Sequence, residues 1–293
     1  MARPGISKLG LPPKKYRPDH RTTRKDGLIR FETEEKAPTE DAVRIESLAR
    51  AAELYPEIID AEQVKRLIKR LKWAGSFDER GYTLASSVYM RDQRLRVIGW
   101  LWALQDHPNN GPLTTAHILP TSWIIPAADL RLANPKDLLE CLRADLNRAG
   151  ATKADGFLFA SLHGEYNPGD NCYHLHTHCV VSRGMIGVVE NLRKIENTRL
   201  QKSANLNKGR PPVRIDSWPL YNLPEPLSYA FKSYWPMKGY SDPVSGEPKR
   251  SKGCRIPEPW HSFYLLWLDR WKIEDLTLMM KLSVRAGQLH VRK

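Results

Sequence analysis

Apolar residues recur three and four apart through the first third of the chain. Val43, Leu48 and Ala52 mark a helix that Thr39 caps and that runs to about Tyr55. A second helix is predicted from Asp60, where Gln63 completes a capping box and Val64, Leu67, Ile68 and Leu71 share a face. The pattern resumes from about Leu84 through Leu95, Ile98, Leu101 and Trp102. Residues 39–108 therefore read as a helical N-terminal region, closed by the break His107-Pro108-Asn109-Asn110-Gly111-Pro112.

Beyond that break the texture changes. Thr114–Ile125 is β-branched and aromatic, which predicts one or two strands. Pro135–Ala149 reads as a helix with Asn134 as its cap and Gly150 after its end. Gly156–Tyr166 and Cys172–Ser182 are predicted strands, joined by Asn167-Pro168-Gly169-Asp170 into a hairpin. A helix over Val188–Leu200, a short strand over Val213–Ser217 and a helix over Pro226–Trp235 follow. Residues 241–259 read as a basic loop, and 260–293 as a C-terminal helix, Trp260–Leu282, with a tail. This order makes an α+β protein.

Charge alters the picture. The 293 residues carry 46 Lys and Arg against 33 Asp and Glu, a net +13, which points to a polyanionic partner, nucleic acid or an acidic membrane. The first thirty residues hold only Asp19 and Asp26 as acids, and residues 1–38 are expected to be a disordered basic arm. An apolar fraction of 41% with nine Trp and eleven Tyr excludes a wholly disordered chain. The longest apolar run, near Val97–Leu104, is too short to span a bilayer. Lys8, Lys14, Lys15 and Arg17 flank only a short apolar fragment, which predicts no signal peptide. Cys141, Cys172, Cys179 and Cys254 lack a framework spacing, which suits a reducing cytosol. A cytoplasmic protein with no membrane partner is expected.

The strongest chemical signal is Tyr173-His174-Leu175-His176-Thr177-His178-Cys179-Val180-Val181. On a strand, alternate side chains share a face, so His174, His176 and His178 project together. Neutral imidazoles in such a row can clasp a divalent ion or present a nucleophile to a phosphate. Across the hairpin, Ser161, His163 and Glu165 alternate on a face that can meet the row, so His163 or Glu165 is a candidate third ligand. Tyr229-Ala230-Phe231-Lys232 places a phenol and an ammonium one helical turn apart, where the cation stabilises a phenolate and the charge developing on a phosphate. Arg193, Lys194, Arg199, Lys202, Lys208, Arg210 and Arg214, with only Glu196 among residues 191–214, are candidate phosphate contacts.

In this order the elements resemble the HUH endonucleases, and most closely the one-tyrosine replication initiators of rolling-circle plasmids. His176-Thr177-His178 followed by Cys179-Val180-Val181 is similar to the family's His-hydrophobic-His strand, with Thr177 where a bulkier apolar residue is usual. Tyr229 and Lys232 are similar to its nucleophile motif, His174 to an extra upstream histidine, and Ser233 stands where two-tyrosine members carry their second tyrosine. The resemblance covers about residues 112–240, within a nuclease domain drawn at 109–240. It implies a central antiparallel sheet with flanking helices, and Mn²⁺ or Mg²⁺ held by His176, His178 and His163, with His174 and Glu165 as further contacts. Tyr229 would then attack single-stranded or hairpin DNA to give a 5′-phosphotyrosine, Lys232 offsetting charge, and a host replication helicase is an admissible partner. All-imidazole ligation favours Mn²⁺ over Mg²⁺. Relaxases and transposases of the superfamily share this chemistry. Two other readings stay open. His174-x-His176-x-His178 also satisfies the pattern of histidine-triad nucleotide hydrolases and transferases, and the charge alone permits a non-catalytic DNA-binding protein.

Overall fold

The computed structural model describes residues 5–18, 34–76, 78–107, 110–202, 211–216, 220–221, 223–232, 234–238 and 255–292. Lys208, Arg210, Ser233, Cys254, most of the 241–259 loop and much of the N-terminal arm lie outside them.

Three helices open the fold: α1 over Lys36–Leu54, α2 over Ala61–Gly75 and α3 over Ser87–Gln105. Asp60 caps α2 by accepting from the Glu62 and Gln63 amides, and Ser86 caps α3 by accepting from Tyr89 N–H. Thr39 is not a cap. The first helix begins three residues earlier, and the Thr39 hydroxyl donates back to Glu35 O at 3.1 Å inside it. α3 is buried on nearly all sides, with Val97, Ile98 and Leu101 wholly enclosed, and it serves as the post against which α1, α2 and the segment around Tyr16 pack.

The strands are β1 (Leu113–Ile118), β2 (Ile124–Pro126), β3 (Leu158–Asn167), β4 (Cys172–Ser182), β5 (Val213–Ile215) and β6 (Thr277–Met280). They form one antiparallel sheet in the order β5-β1-β4-β3-β6, with β2 also paired to β4. Helices α4 (Pro135–Arg148), α5 (Ile186–Lys202), α6 (Glu225–Ala230) and α7 (Trp260–Leu268) flank it. Asn134 caps α4 through Lys136 N–H and Pro135 occupies the first turn, as the sequence indicates. The α+β class with a central antiparallel sheet is therefore what the chain adopts. No helix among the described residues is long and apolar enough to cross a membrane.

Three expectations are corrected. The arm is not free over residues 5–18: Ile6, Leu9 and Tyr16 are buried, and Tyr16 meets Trp102 edge-on at 5.8 Å. Trp100 Nε1 donates to Gly10 O at 2.9 Å, and a Cβ on Gly99 would stand 2.4 Å from Pro12, so only glycine lets this segment lie on α3. The last helix stops at Leu268 instead of Leu282. Thr277–Met280 instead pairs with Leu158–Ser161, and a hairpin of β7 (Leu282–Arg285) and β8 (Gln288–Val291) follows, with positive φ at Ala286 and Gly287. Leu278 and Met280 are buried in alternation, a period-two pattern hidden by helix-favouring residue types. Finally, α6 ends at Ala230, not Trp235, with Phe231 at φ −135° and ψ 77°.

Candidate functional site

Register places the site. In antiparallel pairs, residues directly opposite one another share a face. One rung across the sheet reads Arg214 on β5, His117 on β1, His178 on β4 and Ser161 on β3. The next rungs along β4 pair His176 with His163 and His174 with Glu165. The two rows read from the sequence thus meet as expected, and β1 adds a histidine that the sequence reading missed. The opposite face holds Thr177, Cys179 and Val181, all buried.

The imidazoles pack tightly. His178 is central, its ring 4.4 Å from His117, 4.7 Å from His163 and 4.9 Å from His176. His176 and His178 turn their Nε2 atoms towards each other at 3.0 Å. His176 Nδ1–H donates to His174 O at 3.1 Å, which leaves its Nε2 as the lone-pair nitrogen. Burial pushes the His176 pKa down to about 4, and burial followed by the other imidazoles holds His178 far below the usual histidine range. Both rings are therefore neutral donors at pH 7.

His117 is held by Asp216, just past β5. Its Nε2 lies 3.3 Å from Asp216 Oδ2, which also accepts from Thr115 Oγ1 at 2.6 Å. Burial lowers the His117 pKa, Asp216 opposes that shift and Arg214 adds to it.

α6 lies against β1 and β4 and is backed by α3. It presents Tyr229 half exposed, its ring 5.0 Å from His178 and 5.9 Å from His117. Lys232 lies beyond the end of the helix, yet its Nζ sits 3.8 Å from the centre of the Tyr229 ring. The expected helical i, i+3 pairing is replaced by a cation over the ring face. The electrostatics also differ from expectation. Burial raises the Tyr229 pKa, Glu165 and Asp216 add to it, and the cation that opposes the shift is Arg214. Burial lowers Lys232 to about 8, with Glu165 opposing and Arg94 reinforcing.

The remaining expected residues divide. His174 is drawn to Asp170, Nε2 to Oδ2 at 2.7 Å, and joins the site through its carbonyl. His163 is buried in the row, but its Nε2 accepts the Lys232 backbone N–H at 3.2 Å. Arg193 pairs with Glu190, and Arg199 ties α5 to Asp145 of α4 at 2.6 and 2.8 Å. Lys194 is exposed and Lys202 ends α5. Of the described members of that cationic set, Arg214 stands on the histidine rung. Arg94 of α3 was not expected at all: buried, it donates to Phe231 O at 2.5 Å and Ser228 O at 3.1 Å. His117 and Asp216 each had one available signal, the strands predicted over Thr114–Ile125 and Val213–Ser217. Using it requires knowing that β1 lies between β4 and β5.

The donor set suits a divalent cation at two positions. Two ligands about 2.1 Å from an ion and at right angles stand about 3.0 Å apart, which is the His176–His178 separation. With the lone pair on His176 Nε2, His178 Nε2–H donates to it, and that proton would move to the buried, unpartnered His178 Nδ1 for both Nε2 atoms to face a cation. Among the described residues no three His, Cys, Asp or Glu form a complete metal-holding group.

No family model matches the chain, and neither the curated proteins nor the solved structures provide a match.

Proposed function

We propose that the chain is a metal-dependent endonuclease and strand transferase that nicks single-stranded or hairpin DNA through a 5′-phosphotyrosine link. The role suggested is initiation of rolling-circle replication, with mobilisation or transposition as uses of the same chemistry. One observation carries the reading. A half-exposed Tyr229 stands over a row of buried neutral imidazoles, 5.0 Å from His178, with the Lys232 ammonium on its ring.

Tyr229 Oη attacks the scissile phosphorus, the phosphorus–O3′ bond breaks, and the 3′ oxygen leaves as a protonated hydroxyl. Because burial and two carboxylates raise the phenol's pKa, a base must take its proton. His117 fits that role: Asp216 Oδ2, 3.3 Å from its Nε2, favours the proton on that nitrogen and the lone pair on Nδ1, and burial holds the ring's pKa down. Lys232 and Arg214 bring positive charge beside the phosphate. His176 and His178 would hold the cation, which supplies Lewis-acid polarisation of the phosphate. Imidazole donors favour Mn²⁺ over Mg²⁺.

The test uses the full chain, Mn²⁺ and a pool of 3′-labelled single-stranded oligonucleotides with randomised cores. Label is expected to transfer to the protein and resist denaturation, and chelator to stop the transfer. Retention of DNA without any covalent label would favour a non-catalytic DNA-binding protein.

A further inference from the structure

We infer that His163 and Arg94 are positioning residues that undo the last turn of α6 and set Lys232 over Tyr229, and that His163 is not a ligand of the ion. The inference rests on the reading of the site given above. In a continuing α-helix, Lys232 N–H would donate to Ser228 O, four residues back. Both partners of that bond are engaged elsewhere. Ser228 O accepts from Arg94 Nη2 at 3.1 Å, and Lys232 N–H donates to His163 Nε2 at 3.2 Å. Arg94 Nε also donates to Phe231 O at 2.5 Å, on the residue whose non-helical backbone redirects the chain.

Each partner suits this work. The Arg94 guanidinium is 4% exposed, and its rigid fork reaches two carbonyls at the negative end of a helix. A neutral imidazole has one lone-pair nitrogen, and in His163 that nitrogen is the Nε2 that accepts from Lys232. The proton is then on Nδ1, and no lone pair remains for a cation. The helical N-terminal region, through α3, thereby sets the geometry of a site built on the sheet.

The experiment measures three properties of the full chain: hydrogen–deuterium exchange over residues 225–235 without DNA or metal, Mn²⁺ affinity by electron paramagnetic resonance, and label transfer. His163→Ala and Arg94→Gln are expected to speed exchange there by about fivefold or more, the equivalent of one net hydrogen bond. They should lower kcat for transfer with KM unchanged and leave Mn²⁺ affinity within about twofold, unlike loss of a true ligand. His163→Gln, whose amide oxygen can accept from Lys232, should restore slow exchange. His176→Ala should do the reverse, losing Mn²⁺ while exchange over 225–235 stays at the wild-type rate. If Arg94→Gln does not fold, Arg94→Lys, which reaches one carbonyl only, takes its place. Weakened Mn²⁺ binding in His163→Gln, or unchanged exchange in His163→Ala, overturns the inference. Should the wild type neither bind Mn²⁺ nor form an adduct, the functional reading falls while the exchange data still decide the positioning.

Discussion

The Lys232 ammonium rests 3.8 Å from the centre of the Tyr229 ring although the helix carrying Tyr229 ends two residues before Lys232. Proximity read from a helical spacing is thus achieved by a different backbone. On the proposed function the consequence is chemical: a cation on the π-cloud would serve the charge of an incoming phosphate more than the phenol.

That role has a pH signature. Burial places the Lys232 pKa at about 8, so the ammonium is intact below that value and lost as pH rises through it. Label transfer should therefore decline above about pH 8, even though a higher pH favours phenolate. Lys232→Arg should move the descending limb upward, since guanidinium stays charged. A rate that climbs steadily to pH 10 in the wild type would count against the role.

His117 and Asp216 should matter for chemistry and little for DNA affinity. General bases contribute about 10²–10⁴-fold, so His117→Ala should slow transfer by at least about 10²-fold with the Kd for single-stranded DNA unchanged. Asp216→Asn should show a smaller loss, because the ring keeps its place but loses its charged partner. Single-turnover rates and fluorescence anisotropy separate the two quantities. A His117→Ala enzyme at wild-type rate would remove it from the mechanism.

Much of this architecture is legible in the sequence, and the reasons differ by element. The hairpin of β3 and β4 is signalled by its turn residues and by alternation, which also brings His163 opposite His176. The rung containing His117 and Arg214 depends on which strands lie beside β4, and pairing between residues about a hundred apart leaves no local trace. The end of α6 is invisible for a related reason. Nothing in Ser228–Lys232 forbids another turn, and the groups that interrupt it come from α3 and β3. The N-terminal segment misleads through its charge: Lys8, Lys14 and Lys15 suggest a free arm, while Ile6 and Leu9 on either side of Lys8 are core.

That packing sets what truncation should do. Ile6 is fully buried, and Ile→Ala in a core costs about 2–5 kcal/mol. Ile6→Ala should lower the denaturant midpoint, and removal of residues 1–18 should do so at least as much. A truncated chain with unchanged stability would show that this segment only decorates the surface.

Salt dependence distinguishes the cations. Each single-strand phosphate contact contributes about −0.7 to the log–log slope, so Arg214→Ala should flatten the slope by about that amount. Arg199 is tied to Asp145, and Arg199→Ala should leave the slope unchanged while lowering stability. Equal slopes for the wild type and Arg214→Ala would place DNA away from the histidine rung.

On the proposed function, Tyr229 becomes covalently joined to the 5′ side of a DNA break. The most direct measurement digests the labelled product and locates the nucleotide by mass spectrometry, in the wild type and in Tyr229→Phe. The adduct is expected on the peptide containing Tyr229, with none formed by Tyr229→Phe although the variant still binds the oligonucleotide. An adduct that persists in Tyr229→Phe, above all one mapped to His176 as a histidine-triad transferase would give, contradicts it.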